Sequence, residues 1–312
     1  MNDNEEPTAI VLGSVHMDLI ATAQRLPGKG ESVVGQSFAI SPGGKAGNQA
    51  CQLVKCGTST SIFTRLGDDM FGRQLFEHLT SRGVDPSLIT VDASAPTGAS
   101  TVFAGEGDYS SIIVSGAAGK LTPADIEAQR AALEKVDALV LQLELPVAVS
   151  LAAARIARAK GRHVVLNASP APDSLAEIPK ELLQAISVLV VNFFEAGRLL
   201  GRAFSNSESP AAAAELAKKT GIELVIVTAG ASGSAAVHRG EAVFQPSYFA
   251  KVIDSVGAGD AYLATLVTAQ LEGLALPQSL KRAAAAGALA VSRAGSSAGL
   301  ISRQDINQFL GA

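Results

Sequence analysis

Asp254-Ser-Val-Gly-Ala-Gly-Asp260 stands just ahead of a long apolar run and says more about this chain than any other stretch. Two acids bracket a Gly-Ala-Gly turn, and Tyr262, Leu263, Leu266 and Val267 continue it as the predicted buried face of a helix. Gly257 and Gly259 carry no side chain, so backbone N–H groups around Ala258 can approach an anion closely. The helix that follows adds its positive end, where the first N–H groups lack intrahelical partners. A phosphate fits such a place. A carboxylate does not, so Asp260 makes chemical sense as a base that takes a proton from a hydroxyl attacking that phosphate. The same acid also reads as a plain helix N-cap.

A second Gly-rich turn, Ser41-Pro-Gly-Gly-Lys-Ala-Gly-Asn48, also ends a strand-like run and opens a helix through Ala50, Leu53 and Val54. Neither turn matches GxxxxGK[ST] or GxGxxG. Together they resemble the two signatures of the ribokinase family of carbohydrate kinases (the PfkB group), a GGKGAN-type run near the start and a DTxGAGD-type run near the end. The likeness extends from Gly13 to about Gly299 and is greatest to the ribokinase branch.

Composition bounds the alternatives. The chain has 312 residues, 47% of them hydrophobic, in short runs broken by Gly, Ser and charge. None approaches the roughly 18 apolar residues of a membrane span. The opening MNDNEEP is acidic and polar, unlike a secretory or transit peptide, so a cytoplasmic location is expected. A net charge of −4 gives no basic stripe for a nucleic-acid partner. Cys51 and Cys56 lack CxxC spacing and read as packed, reduced thiols.

Strand-like and helical runs alternate, predicting an α/β protein with a mainly parallel sheet covered by helices on both faces. Strands are expected at 9–14, 61–65, 138–143, 163–167, 188–191 and 223–228, and helices at 146–160, 210–219 and twice between Gly257 and Arg293. Asp18–Ile40 and Thr97–Ser115 break the rhythm with alternating patterns. They read as insertions, at about 18–40 and 97–115, that build a small β-sheet within one ribokinase-like domain spanning 1–312. The resemblance makes that sheet a lid over the sugar and a surface for homodimer formation, with Val33, Phe38, Phe103, Ile112 and Ile113 as its apolar residues.

The resemblance also implies an activity and a set of residues. The activity is transfer of the γ-phosphate of ATP to a primary hydroxyl of a small sugar, D-ribose to ribose 5-phosphate in the first instance. Related kinases act on another ketose, a sugar acid or a nucleoside, and a non-catalytic sensor on the same scaffold is the distant alternative. Asp260 is then the base, and Gly257, Ala258 and Gly259 form the anion hole; ordinary acidity near ~4 is expected to suffice for a late proton transfer. On the sugar side the matching positions are His16, Asp18, Gly43, Gly44, Lys45, Asn48 and Glu144. Asp18, a pure acceptor, can take two sugar hydroxyls. On the nucleotide side they are Asn192, Glu195, Thr228, Gly230, Gly233 and Gly259, with Glu195 holding Mg2+ through water. A K+ site is implied at Asp254, Val256, Ala290, Arg293, Gly295 and Gly299. Asn192–Glu195 also reads as a capping box, and 227–233 as a hairpin turn.

Three positions depart from the family pattern. His16 stands where many bacterial ribokinases have Asn, Ala46-Gly47 reverses the usual Gly-Ala order, and Gly119 replaces an Asn. The phosphate machinery is intact, so these changes bear on the acceptor. A nucleoside would need a flat apolar slot, for which Phe103 or Tyr109 is the candidate.

Overall fold

Every second residue of each central strand faces a different layer, which explains why those strands read as unbroken apolar runs. In this computed structural model, which describes residues 6–105, 108–293 and 299–311, Ile10 and Leu12 of one strand join one core while Ala9 and Val11 join the other. That strand is β1 (Thr8–Leu12), inside a nine-stranded sheet. The others are β4 (Ser59–Gly67), β5 (Ile89–Asp92), β8 (Ala138–Leu141), β9 (His163–Asn167), β10 (Val188–Asn192), β11 (Leu224–Thr228), β12 (Ser234–His238) and β13 (Glu241–Gln245). Their order is β13-β12-β11-β10-β9-β8-β1-β4-β5, parallel except for β12 and β13. The six predicted strands all form, with ends shifted by at most two residues. The β12–β13 hairpin was not predicted.

The helices are α1 (Lys45–Cys56), α2 (Met70–Ser81), α3 (Pro123–Ala128), α4 (Arg130–Lys135), α5 (Val147–Ala159), α6 (Lys180–Ala185), α7 (Phe193–Leu200), α8 (Ser209–Thr220), α9 (Ala258–Leu271), α10 (Leu276–Val291) and α11 (Arg303–Leu310). Those from α3 to α8 contribute Ile126, Leu133, Val149, Leu182, Leu199 and Leu216 to one face of the sheet. Helices α1, α2, α9 and α10 contribute Leu53, Leu75, Leu263 and Leu280 to the other. One expectation needs correcting here: α9 has no single buried face. Every residue from Asp260 to Ala269 is buried, because the helix lies between the sheet, α1 and α10. A helix apolar all round is a core helix.

The two irregular segments supply β2 (His16–Ala23), β3 (Gly35–Gly43), β6 (Thr97–Gly105) and β7 (Asp108–Gly116), a separate sheet ordered β3-β2-β6-β7. Its pairing register, Asp18 with Ser41 and Ser100, sets the faces. Alternation puts Asp18, Ser100 and Ile113 on one side, and Phe38, Ile40, Phe103, Ile112 and Val114 on the other. Phe38, Ile112 and Val114 are 62%, 64% and 58% exposed, so this second face is an uncovered apolar surface. Val33 lies outside the strands.

Candidate active site

Strand order reverses direction at β1 and β8, and ligands of open α/β sheets collect beyond the C-terminal ends of strands at such a point. Here β1 ends at Leu12, and Gly13-Ser14-Val15 carries the chain across into β2 of the small sheet. Ser14 donates to Glu144 Oε2 at 2.6 Å, joining the ends of β1 and β8. Burial pushes the Glu144 carboxyl above its ordinary range, against the pull of the Ser14 hydroxyl, His16 and Lys45. Ser115 of β7 holds the Glu144 carbonyl at 2.9 Å, and Gly119 packs beside Ser115.

Asp18 faces the same region from β2. Its Oδ1 accepts from the Ser100 hydroxyl and lies 3.2 Å from His16 Nε2. A Cβ on Gly43 would stand 2.1 Å from Asp18 Oδ2, so only glycine leaves that oxygen room. Gly44 is held at φ 92°, and a Cβ there would meet Ser14 O at 2.7 Å. His16 is 4% exposed, and its Nδ1 meets no partner among the described residues.

Helix α1 starts at Lys45, directly after Gly44, and runs through the reversed Ala46-Gly47 pair. Ala46 is fully buried against Gly13, while a Cβ on Gly47 would be in ordinary contact, 3.4 Å from Val15. Asn48 Nδ2 and Gln49 Nε2, one turn along, donate to Asp260 Oδ2 and Oδ1 at 3.3 and 2.8 Å. The two Gly-rich turns, more than two hundred residues apart in sequence, therefore meet through α1 and α9.

Gly257, at φ 81°, opens α9, whose first intrahelical bond runs from Ala261 N to Gly257 O at 2.9 Å. The N–H groups of Gly259 and Asp260 precede it, and nothing lies within 4 Å of where a Gly259 side chain would begin. Asp260 is buried, which raises its pKa, while Lys45, Gln49 and Asn48 favour the ionised form. Ordinary acidity is therefore not what this carboxylate has: loss of hydration outweighs its three polar neighbours.

The nucleotide-side residues gather at the ends of β10 and β11, which are adjacent in the sheet. Asn192 Oδ1 accepts from Glu195 N and Glu195 Oε2 from Asn192 N, both at 2.8 Å, so the capping box is real. The capping box uses Oε2 of the Glu195 carboxylate. Thr228 pairs with Ser234 across a hairpin. Gly230 and Gly233 have φ 53° and 94°, and a Cβ on Gly233 would stand 2.3 Å from Gln245 O. The glycines of this loop thus have structural reasons of their own.

Of the six positions expected around K+, Val256, Ala290 and Gly299 border one small cavity together with Asn48, Gly257 and Asp260. Asp254 Oδ1 is turned back onto Val256 N at 2.9 Å, and the Ala290 carbonyl accepts from Arg293 N at 3.0 Å. The Arg293 side chain binds Leu300 O and Asp305. Gly295 lies outside the described residues.

Sequence reading overlooked Ser14, Gln49, Ser100, Gln142 and Asn167. None belongs to a glycine turn or a charge pattern. The one signal was adjacency, Gln49 following the first signature and Gln142 standing two residues before Glu144.

The chain matches the family model described as pfkB family carbohydrate kinase over residues 7–303. It is 30% identical to the ribokinase of Haemophilus influenzae over 304 residues, covering 97% of this chain and 98% of that one. It is 32% identical to the ribokinase of Arabidopsis thaliana over 318 residues, covering 99% and 82%. The solved structure of Arabidopsis thaliana ribokinase complexed with ribose and ATP superposes with a TM-score of 0.87 at 29% identity, covering 99% of this chain and all of that one. A mainly parallel sheet, a second small sheet and paired glycine turns thus coincide with a match over nearly the whole chain, which belongs to the pfkB family of carbohydrate kinases.

Proposed function

We propose that the protein transfers the γ-phosphate of ATP to the primary hydroxyl of D-ribose, giving ribose 5-phosphate. The observation that carries this is the convergence of both glycine turns on one buried carboxylate, Asp260, with Asn48 and Gln49 as its donors. The acceptor lies between the small sheet, acting as a lid, and the ends of β1 and β8, bonded by Asp18, Glu144, Lys45 and the Gly43-Gly44 backbone. Asp260 takes the hydroxyl proton as the new P–O bond forms, and the N–H groups from Gly257 to Asp260 meet the charge of the migrating phosphoryl group. Asn192, Thr228 and the 229–233 loop border the ATP phosphates. Glu195 is the residue that would hold Mg2+, which when bound would neutralise phosphate charge. Val256, Ala290 and Gly299, which border one small cavity beside Asp260, are the residues that would hold K+, whose charge would steady the anion hole.

The pocket favours a neutral polyol. Asp18 lies beside His16, and Glu144 has Lys45 and the Asp260 carboxyl in reach, so a sugar acid would bring its own carboxylate among these acids. Phe103 lies on the face opposite Asp18, which removes one of the two residues considered for a nucleobase slot; the side chain of Tyr109 is outside the described set. The test is ATP consumption with ribose, deoxyribose, fructose, 2-keto-3-deoxygluconate and nucleosides, with Mg2+, with and without K+. Ribose is expected to give the highest kcat/KM; background hydrolysis with every acceptor, from folded protein, would overturn the reading.

His16 tunes this pocket. Replacing it with Asn removes the contact to Asp18 and redirects the donor. His16→Asn is expected to change the ribose-to-deoxyribose preference about 10-fold with little effect on the KM for ATP; equal effects on both would show that His16 does not read the acceptor.

The uncovered face of the lid fits a second copy of this chain. Sedimentation is expected to give about 64 kDa, twice the 31.8 kDa protomer, and Phe38→Asp is expected to reduce it to one protomer. An unchanged mass in that variant would place any dimer contact elsewhere. No helix among the described residues is long and apolar enough to cross a membrane. The free, buried Cys51 and Cys56 suit the reducing cytoplasm, where we place the protein.

A further inference from the structure

Gln49 is fully buried on α1, and both ends of its side-chain amide are engaged. Nε2 donates to Asp260 Oδ1 at 2.8 Å and to Asn167 Oδ1 at 3.2 Å. Oε1 accepts from Gln142 Nε2 at 2.6 Å. Asn167, at the end of β9, in turn donates Nδ2 to the Val190 carbonyl of β10 at 3.2 Å.

Amide orientation is normally a free choice of two, but here it is forced. A carboxylate and a peptide carbonyl can only accept from these amides. Asp260 therefore requires the nitrogen of Gln49, which turns the Gln49 oxygen towards Gln142 and demands the Gln142 nitrogen. The Val190 carbonyl requires the nitrogen of Asn167, which presents the Asn167 oxygen to Gln49. Both fixed ends agree on one polarity. Gly13 makes room for the arrangement, since a Cβ there would lie 2.0 Å from Gln142 Oε1.

We propose that Gln49 is the positioning residue for Asp260: it holds Oδ1 against the ends of β8 and β9 and so presents Oδ2 to the attacking hydroxyl. Oδ2 accepts from Asn48 at 3.3 Å, the longer of the two amide contacts, and so keeps capacity for a proton. The donor on Oδ1 also favours the ionised carboxylate that burial disfavours. The charged groups in reach of Asp260 are Lys45, on the same helix as Gln49, and Glu144, beyond β8. Both persist when Gln49 is replaced.

The inference rests on Asp260 as the base, and the experiment separates the two. In the full-length enzyme, Gln49→Met is expected to lower kcat about 10- to 100-fold, with the KM values for ATP and acceptor within about threefold. The acid limb of the kcat–pH profile is expected to move up by about 0.5 to 1 unit, because the ionised base has lost a donor. Packing damage alone would not move that limb. Gln49→Glu, nearly isosteric and still able to accept from Gln142, guards against misfolding; its carboxylate faces Asp260 and is expected to move the limb at least as far. An unmoved limb in either folded variant, or kcat within threefold of wild type, overturns the positioning role. Wild-type turnover by Asp260→Asn overturns the base assignment instead, whatever Gln49 does.

Discussion

Replacing Asp260 with Asn lowers kcat on the order of 10³-fold while ATP binding persists, the size expected for removing a positioned general base. The amide occupies the same volume and cannot take the proton of the acceptor hydroxyl. The phosphate-facing N–H groups belong to the backbone and are untouched, so the KM for ATP is expected to stay within about threefold. The wild type supplies a second reading of the same group. Burial raises the Asp260 pKa, so the active, ionised form is present at higher pH and is lost as pH falls through a value above the ordinary carboxylate value near ~4. A kcat–pH profile with its acid limb at or below that value, or a substantial rate in the Asn variant, would place the base elsewhere.

Asp18→Ala is expected to raise the acceptor KM about 100-fold or more, with a far smaller change in the KM for ATP. Hydrogen bonds to a charged group contribute roughly 1.5–3 kcal/mol each, and in the proposed function Asp18 accepts from the acceptor. Ser100 and His16 occupy Oδ1, while Oδ2 sits over Gly43, where any side chain would collide with it. Initial rates over a matrix of both substrates separate the two constants. Parallel rises in both would mean that Asp18 supports the fold rather than the acceptor.

Much of this was legible in the chain because glycine and charge are conspicuous. Gly43, Gly44 and Gly257 declare positions where backbone must turn or come close, and the structure gives Gly44 and Gly257 positive φ. Parallel strands buried on both faces appear as apolar runs, so β8 to β11 were visible. The β12–β13 hairpin was not: Ser234-Ala-Ala-Val-His238 carries weak strand propensity and is held by pairing with β11, a tertiary cause. Amide networks are more opaque still. Gln49, Gln142 and Asn167 form a site only because α1, β8 and β9 bring them together, and uncharged side chains at unrelated spacings leave no pattern. The acidity of Asp260 was misjudged for a related reason: α9 looked amphipathic, and a helix end at a surface would have left the acid in water, whereas the helix is enclosed.

That α1 is completed from the far end of the chain has a consequence for biosynthesis. Asn48 and Gln49 bind Asp260, and Gln52 clamps Ile301 through both its amide nitrogen and its oxygen. During translation, everything through β11 can emerge and pair while this helix still lacks its partners. A ribosome that stalls before residue 258 releases a product with the small sheet and the ends of β1 and β8 in place, an open flank along Gln49, Gln52 and Cys56, and no Asp260. Premature termination is thereby kept catalytically silent and left conspicuous to chaperones and proteases.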